Sequence, residues 1–310
     1  MKRLLVLMVP FIMISCYDAE LIIPGETTGG PDIEIAEPYL KQYNSRYPNF
    51  EYTLEFIRLG TENETGDVFL SDYQSHNGDN IHFERFTENA KENKLGRISS
   101  IILNESTYNF YYSQKYDSIK FGNLKLTFIY DDKGKIVNAV KTESDEIVAN
   151  YNFTTTDRGF ITGYEYIPTP IEDNAPTINS KLNIVIRESN GGVSRKVNAI
   201  NYTKDNLAIT NLSFQYDEYP NPIAGVASVD FNPLVFLLAF NEGMTDRIMP
   251  QLDILALLIS ENNRINVEKD GEDFTLDYTY NTFRDNRPER ATVKIGDVEN
   301  QDWSVLYNYR

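Results

Sequence analysis

Phe214-Gln215-Tyr216-Asp217-Glu218-Tyr219-Pro220-Asn221-Pro222 decides how this chain is read. Aromatic residues flank one polar residue, an Asp follows, and Pro-Asn-Pro ends the extended run. Alternation followed by turn formers is the end of a half-buried strand. Looser copies occur at Phe128-Ile129-Tyr130-Asp131-Asp132-Lys133-Gly134, from Tyr151-Asn152-Phe153 to Gly159, and at Tyr278-Thr279-Tyr280-Asn281. With Phe86, the aromatic positions 86, 130, 151, 216 and 280 fall near multiples of about 21 residues, which suits two strands and two turns per unit.

Working outward, alternating segments follow one another. Tyr52–Leu59, Ile81–Phe86, Arg97–Leu103, Thr107–Ser113, Asn123–Tyr130, Lys135–Ala139, Ile147–Phe153 and Phe160–Tyr166 precede the motif. Leu182–Arg187 and Ser194–Tyr202 lead into it. Ile265–Glu268, Phe274–Tyr280 and Asp302–Tyr307 follow it. Asp132-Lys133-Gly134, Asp157-Arg158-Gly159, Asn190-Gly191 and Asp270-Gly271 put glycine where a hairpin wants positive φ. The abundance of Tyr (21) and Phe (17) agrees with strands. The expectation is a mainly β, antiparallel meander of hairpins forming a large curved sheet or an open barrel.

The segment 233–261 breaks this period. Val235–Phe240 and Leu252–Ile259 are apolar runs rich in Leu and Ala with little β-branching. They read as two short helices, about 233–241 and 250–261, buried on much of their circumference and covering one face or open end of the sheet.

Met1-Lys2-Arg3, the apolar run Leu4–Ile14 and Ser15-Cys16 have the layout of a secretory signal peptide, too short to span a bilayer. The chain's one cysteine stands where that run ends. Met13-Ile14-Ser15-Cys16 resembles the lipobox of bacterial lipoproteins, which implies acylation of Cys16. The first position holds Met, where the commonest form has Leu. Residues 17–37 are acidic and rich in Pro, Gly and Thr, the composition of a solvated tether. The domain plan is therefore a signal peptide at 1–15, a tether at 16–37 and a single β domain at 38–310, with a potential subdivision at the proline-rich 169–176. Acids directly after Cys16 resemble surface-export signals of Bacteroidota lipoproteins.

The formal charge is −17, and loss of residues 1–15 removes two bases and no acid. Such acidity argues against nucleic-acid partners and against docking on anionic lipid through a basic patch. The mature chain would carry no thiol, hence no disulfide, no thiolate nucleophile and no Cys ligand. The two histidines, His76 and His82, fall in a polar loop and at a strand start, too few for a convincing zinc site. No phosphate loop or Gly-x-Ser-x-Gly elbow occurs. Asp131-Asp132-Lys133-Gly134 and Asp270-Gly271-Glu272-Asp273 resemble fragments of calcium loops but lack the ligand spacing, and hairpin turns account for them. No catalytic residue, metal or cofactor is expected.

The stretch Tyr216-Asp217, Asn221-Pro222, an apolar helical segment and Ser260-Glu261-Asn262-Asn263 resembles YD-repeat-like lipoproteins of unknown function in Bacteroidota. The resemblance implies an antiparallel β fold and an envelope location, and supplies no catalytic residues. Here Asn221-Pro222 is followed by Ile-Ala-Gly where the pattern has an aromatic. Tyr108, Phe110 and Tyr112, with Trp303 in the last strand, are the candidate ligand-binding aromatics. Two readings are open for them: a stacking platform, or one buried face of a sheet with amphipathic tyrosines on the other. The expected function is a non-catalytic binding or scaffold lipoprotein of the outer membrane, for a glycan or another envelope protein. A carrier of an apolar ligand between sheet and helices is the alternative, and a carboxylate-based hydrolase the next.

Overall fold

The computed structural model describes residues 39–309 apart from 60–66, 87–95, 114, 170–179, 189–194, 245–251, 282–286 and 297. Cys16, the tether, the Asn190-Gly191 turn and nearly all of 169–176 lie outside these residues. Eighteen antiparallel strands form one sheet. The first eight are β1 Leu40–Tyr47, β2 Phe50–Leu59, β3 Asp67–Ser75, β4 Asn80–Arg85, β5 Ile98–Leu103, β6 Ser106–Tyr112, β7 Tyr116–Phe121 and β8 Leu124–Tyr130. Next come β9 Ile136–Glu143, β10 Glu146–Thr155, β11 Ile161–Pro168, β12 Ser180–Glu188, β13 Arg195–Lys204 and β14 Leu207–Pro220. Three helices follow, α1 Pro222–Ala227, α2 Phe231–Phe240 and α3 Asp253–Ile259. The chain then returns through β15 Asn262–Lys269, β16 Glu272–Asn281, β17 Arg287–Ile295 and β18 Val298–Tyr309.

Each strand pairs with its sequence neighbours, and β1 also pairs with β18, with Tyr43 opposite Tyr307. The sheet is therefore a closed up-and-down barrel. The open or merely curved sheet expected from the sequence is corrected by this pairing, which joins residues at opposite ends of the domain. Closure leaves no free strand edge. The Pro-rich segment does not separate two sheets, because β11 pairs with β12 across it, Tyr164 opposite Leu182.

The two rims differ. At one, strands meet in two-residue turns such as 48–49, 104–105, 144–145, 205–206 and 270–271. Asp270 and Gly271 have φ of 52° and 90°, the backbone of a tight hairpin whose twist matches its strands. At the opposite rim β14 leads into the helices and the chain rejoins the wall at β15. Gly134 and Gly159, in turns at that rim, adopt the positive φ expected of them (80° and 83°).

An eight-stranded barrel is filled by its own inward side chains, whereas about 16–18 strands leave a wide lumen. In this chain the helices occupy that lumen. Every described residue of α2 except Asn232 is buried, and so is all of α3. The Phe236 ring lies 5.5 Å from Tyr116 of β7, 4.2 Å from Phe128 of β8 and 6.1 Å from Phe153 of β10. The helices were expected to cover one face or an open end of the sheet; the face they meet is the inner one, and they are apolar all round because the wall surrounds them. Their positions match the sequence reading, while α1 was not anticipated.

Outward positions carry polar ladders. Lys181 pairs with Glu165 (2.7 Å), Lys294 with Asp277 (2.6 Å), Asn138 with Asn152 (2.9 Å) and Gln42 with Glu55 (3.2 Å). A membrane-spanning barrel has an apolar outer band, where a central Lys or Arg costs about 2–4 kcal/mol. Here most aromatics face inward, and the outer wall mixes these charged and polar pairs with exposed apolar residues such as Ile57, Ile129, Ile147, Val185 and Leu306. Phe236→Ala should destabilise the fold by ~3–5 kcal/mol in urea unfolding, through lost contacts and the cavity left behind. The outward Ile129→Ala should shift stability by about 0.5 kcal/mol or less.

Candidate functional site

The lumen is apolar, yet the plug is fixed by polar contacts at each of its turns. Its neck comes first. Asn221 is buried, and its Nδ2 donates to the carbonyls of Leu257 and Ser260, both at 2.8 Å. Its Oδ1 accepts from the Ile223 N–H (3.0 Å), and its own N–H donates to the Glu261 carbonyl (2.8 Å). Asn262 and Asn263 donate to the Tyr219 carbonyl. Asn221-Pro222 and Ser260-Glu261-Asn262-Asn263 are therefore the two sides of one clasp, where the chain leaves the wall and rejoins it.

At the start of α2, Asp230 accepts from Arg85 of β4 (2.8 Å) and from the Leu70 N–H (3.2 Å). Arg85 also donates to the carbonyls of Gly96 and Leu70. Both side chains are 1% exposed. Burial pushes the Asp230 carboxyl up, against the pull of Arg85. At the end of α2, where carbonyls lack helical partners, Lys141 of β9 donates to the Phe240 and Glu242 carbonyls (2.7 and 2.9 Å) and Tyr151 to that of Ala239 (2.9 Å). The Glu242 carboxylate accepts from Tyr164 (2.7 Å) and Tyr202 (3.3 Å). At α3, Asp253 accepts from Tyr52 of β2 (2.6 Å) and Arg264 of β15 (2.8 Å), and Arg264 reaches Tyr43 (3.3 Å). Desolvation raises the Tyr52 phenol, so it stays a hydrogen-bond donor.

The rim bearing the plug has its own repeated contact. Tyr112, at the end of β6, donates to the Ile98 carbonyl at the start of β5 (2.6 Å). Tyr130 does the same from β8 to Tyr116 of β7 (2.7 Å), Tyr216 from β14 to Val197 of β13 (2.6 Å), and Tyr309 from β18 to Pro288 of β17 (3.0 Å). Each phenol latches one hairpin at its open end.

Two copies of the aromatic motif meet at the mouth. The Tyr280 hydroxyl donates to Asp217, which also accepts from the Tyr219 N–H (3.0 Å). The Tyr219 and Tyr280 rings lie 4.4 Å apart, tilted by 39°. Asn263 donates to the Pro220 carbonyl (3.1 Å) and approaches the Tyr280 hydroxyl (3.5 Å). Its Oδ1 is buried and has no partner among the described residues. Partial burial raises the Asp217 carboxyl, opposed by its hydrogen bonds from Tyr280, from the Tyr219 N–H and from the backbone and side chain of Asn263.

The aromatics singled out in the sequence lie elsewhere. Tyr108 and Phe110 are inward and buried; Tyr108 stacks on Phe121 (4.8 Å) and donates to Asn241 (2.9 Å). Tyr112 is a latch, and Trp303 is a partly buried side chain against the core. These four are not gathered on one outer platform; among the aromatics of the 108–112 run it is Tyr111 that is exposed (46%). His76 lies 3.9 Å from Glu51, and His82 bonds Asp72 (2.7 Å) in the exposed wall. Asp131 and Asp270 each accept a backbone N–H at their own hairpin. Sequence reasoning missed Arg85, Lys141, Asp230, Asp253 and Arg264. For Arg85 a signal existed: it shares the inward phase of Ile81 and Phe83.

No protein-family model matches the chain, and no curated protein matches it. Among solved structures it is similar to a porin-like protein from Bacteroides uniformis ATCC 8492. The TM-score is 0.39 and the identity 13%, over 87% of this chain and 95% of that one. At that distance the site is read from this chain's own residues.

Asn221→Ala should destabilise the protein by about 1–3 kcal/mol for each stranded buried carbonyl, whereas Asn266→Ala on the outer wall should change little; thermal unfolding separates them. Because the native Asp217 pKa is raised, its stabilising contribution is greatest at acid pH. It is lost as pH rises from about 3.9, the unfolded value, through the native one. Carbon NMR of the Asp217 carboxyl should give a midpoint above ~3.9, and Asp217→Asn should remove that share of the pH dependence.

Proposed function

We propose that this chain is a lipid-anchored protein of the outer membrane whose barrel stands in water as a non-catalytic binding or scaffold module. Its ligand is a glycan or another envelope protein. The observations that carry this reading are ion pairs set into the outer wall and a lumen filled by the chain's own helices. A wall carrying these ion pairs needs an anchor to stay at a membrane, and an acylated Cys16 with the tether 16–37 would supply it. The YD-repeat-like resemblance agrees with that placement.

Two other readings have less support. A carrier needs apolar space for its cargo, and α2 and α3 take the place such cargo would have. A carboxylate hydrolase needs paired acids facing a cleft. The buried acids Asp230 and Asp253 instead face Arg85 and Arg264.

The test combines labelling and phase separation. Cells fed radioactive fatty acid should label the wild-type chain and leave Cys16→Ala unlabelled. In a detergent cloud-point separation the wild type should enter the detergent phase and Cys16→Ala the aqueous phase. An unlabelled wild type contradicts the anchor. A Cys16→Ala chain that partitions into detergent contradicts the water-facing barrel.

A further inference from the structure

We infer that Tyr280, with Asp217 as its proton acceptor, is a redox-active tyrosine. It gives an electron to an outer-sphere one-electron oxidant at the barrel mouth and is re-reduced from the buried Tyr52. The inference goes beyond the binding-module reading and does not depend on it. It rests first on an unbroken line of tyrosine rings. From Tyr280, partly exposed at the mouth, the ring centroids step 5.7 Å to Tyr278, 6.2 Å to Tyr307, 5.1 Å to Tyr43 and 6.0 Å to Tyr52. Each step lies within the range of packed aromatic pairs. Barrel closure builds the line, because Tyr43 of β1 stands opposite Tyr307 of β18. Tyr278 of β16 faces the small Ala291 of β17, so its ring reaches past β17 to Tyr307.

The chemistry of the two ends is the independent observation. The Tyr280 hydroxyl donates to the Asp217 carboxylate, and the Tyr52 hydroxyl donates to that of Asp253 (2.6 Å). Among the described residues, Tyr278, Tyr307 and Tyr43 bond no carboxylate. A phenol that loses an electron turns strongly acidic, and a charged radical away from water is costly, so its proton needs a base already in hydrogen-bond reach. Both ends have one. Burial and Asp217 keep the Tyr280 phenol protonated until oxidation, so electron and proton leave together.

Two balanced steps follow. The oxidant takes one electron from Tyr280 and the hydroxyl proton passes to Asp217, which leaves a neutral phenoxyl radical. An electron then moves from Tyr52 through Tyr43, Tyr307 and Tyr278. Tyr280 recovers its proton from Asp217, and the Tyr52 proton passes to Asp253. The Asp253 Oδ1 has no partner among the described residues, so that carboxylate has capacity for the proton. The radical comes to rest on Tyr52, which is 1% exposed and out of reach of dissolved reductants.

Flash photolysis of ruthenium(II) tris-bipyridine with a sacrificial quencher generates the oxidant, Ru(III), beside the full-length protein; optical and EPR spectra follow the radical. The wild type should reduce Ru(III), more slowly in D2O, and give a neutral tyrosyl radical. Tyr280→Phe and Asp217→Asn should each slow the reduction by tenfold or more. Tyr52→Phe should leave that rate unchanged and shorten the radical's lifetime in ascorbate by tenfold or more. Tyr111→Phe removes a more exposed tyrosine that bonds no carboxylate, and should change neither. The isotope effect is read on the wild type, so it decides the proton step whether or not a variant folds. Equal rates in H2O and D2O, or an unchanged rate in Tyr280→Phe, overturn the Tyr280–Asp217 site. An unchanged lifetime in Tyr52→Phe overturns the relay.

Discussion

Eighteen strands closed into a barrel enclose more space than their inward side chains can fill. Every other feature follows from that constraint. A vacant apolar lumen would forfeit dispersion contacts along the whole wall, and a wet one would expose a ring of Tyr, Phe, Leu and Ile. The chain meets both demands with one insertion between β14 and β15. Its helices need no polar face, because nothing around them is water. Their sequences look like membrane or core helices for that reason, although none is long enough to cross a bilayer.

An apolar rod in an apolar tube has no defined depth or rotation. The polar contacts supply both. Arg85, Lys141 and Arg264 come from three well-separated strands, and each meets an acid or a helix-end carbonyl of the plug. Removing one partner of such a buried pair leaves an uncompensated charge, worth about 3–5 kcal/mol. The neck asparagines then determine where the plug departs from the wall, and the tyrosine latches keep neighbouring hairpins closed at the rim it enters. Burial raises the latch phenols of Tyr130, Tyr216 and Tyr309, so they remain donors across the physiological range.

Local pattern made most strands legible. Asn123–Tyr130 and Phe274–Tyr280 alternate cleanly and are strands within one or two residues of those bounds. The four that were missed lack such alternation on paper. β17 begins Arg-Pro-Glu-Arg, β7 is Tyr-Asp-Ser-Ile-Lys-Phe, and β1 and β3 mix polar residues into the inward phase, with Ser45 and Ser71 buried. The helices were legible from composition, but their place was not. An apolar rod on top of a sheet and one inside a barrel read alike until closure is known, and closure rests on Tyr43 meeting Tyr307 across the length of the domain. The organising motif was read as a strand end, which it is. That its Asp217 would meet Tyr280 was invisible, because the pairing arises only when β14 and β16 flank β15 at the mouth.

The most direct test of the filled lumen is amide hydrogen exchange resolved along the native chain. The amides of α2 and α3 should exchange as slowly as those of central wall segments such as 52–56, and more slowly than those of hairpin tips such as 205–206, because all their residues but Asn232 are buried within the barrel. Rapid exchange of both helices beside a protected wall would contradict the account, since it would mean that the barrel holds its shape without its plug.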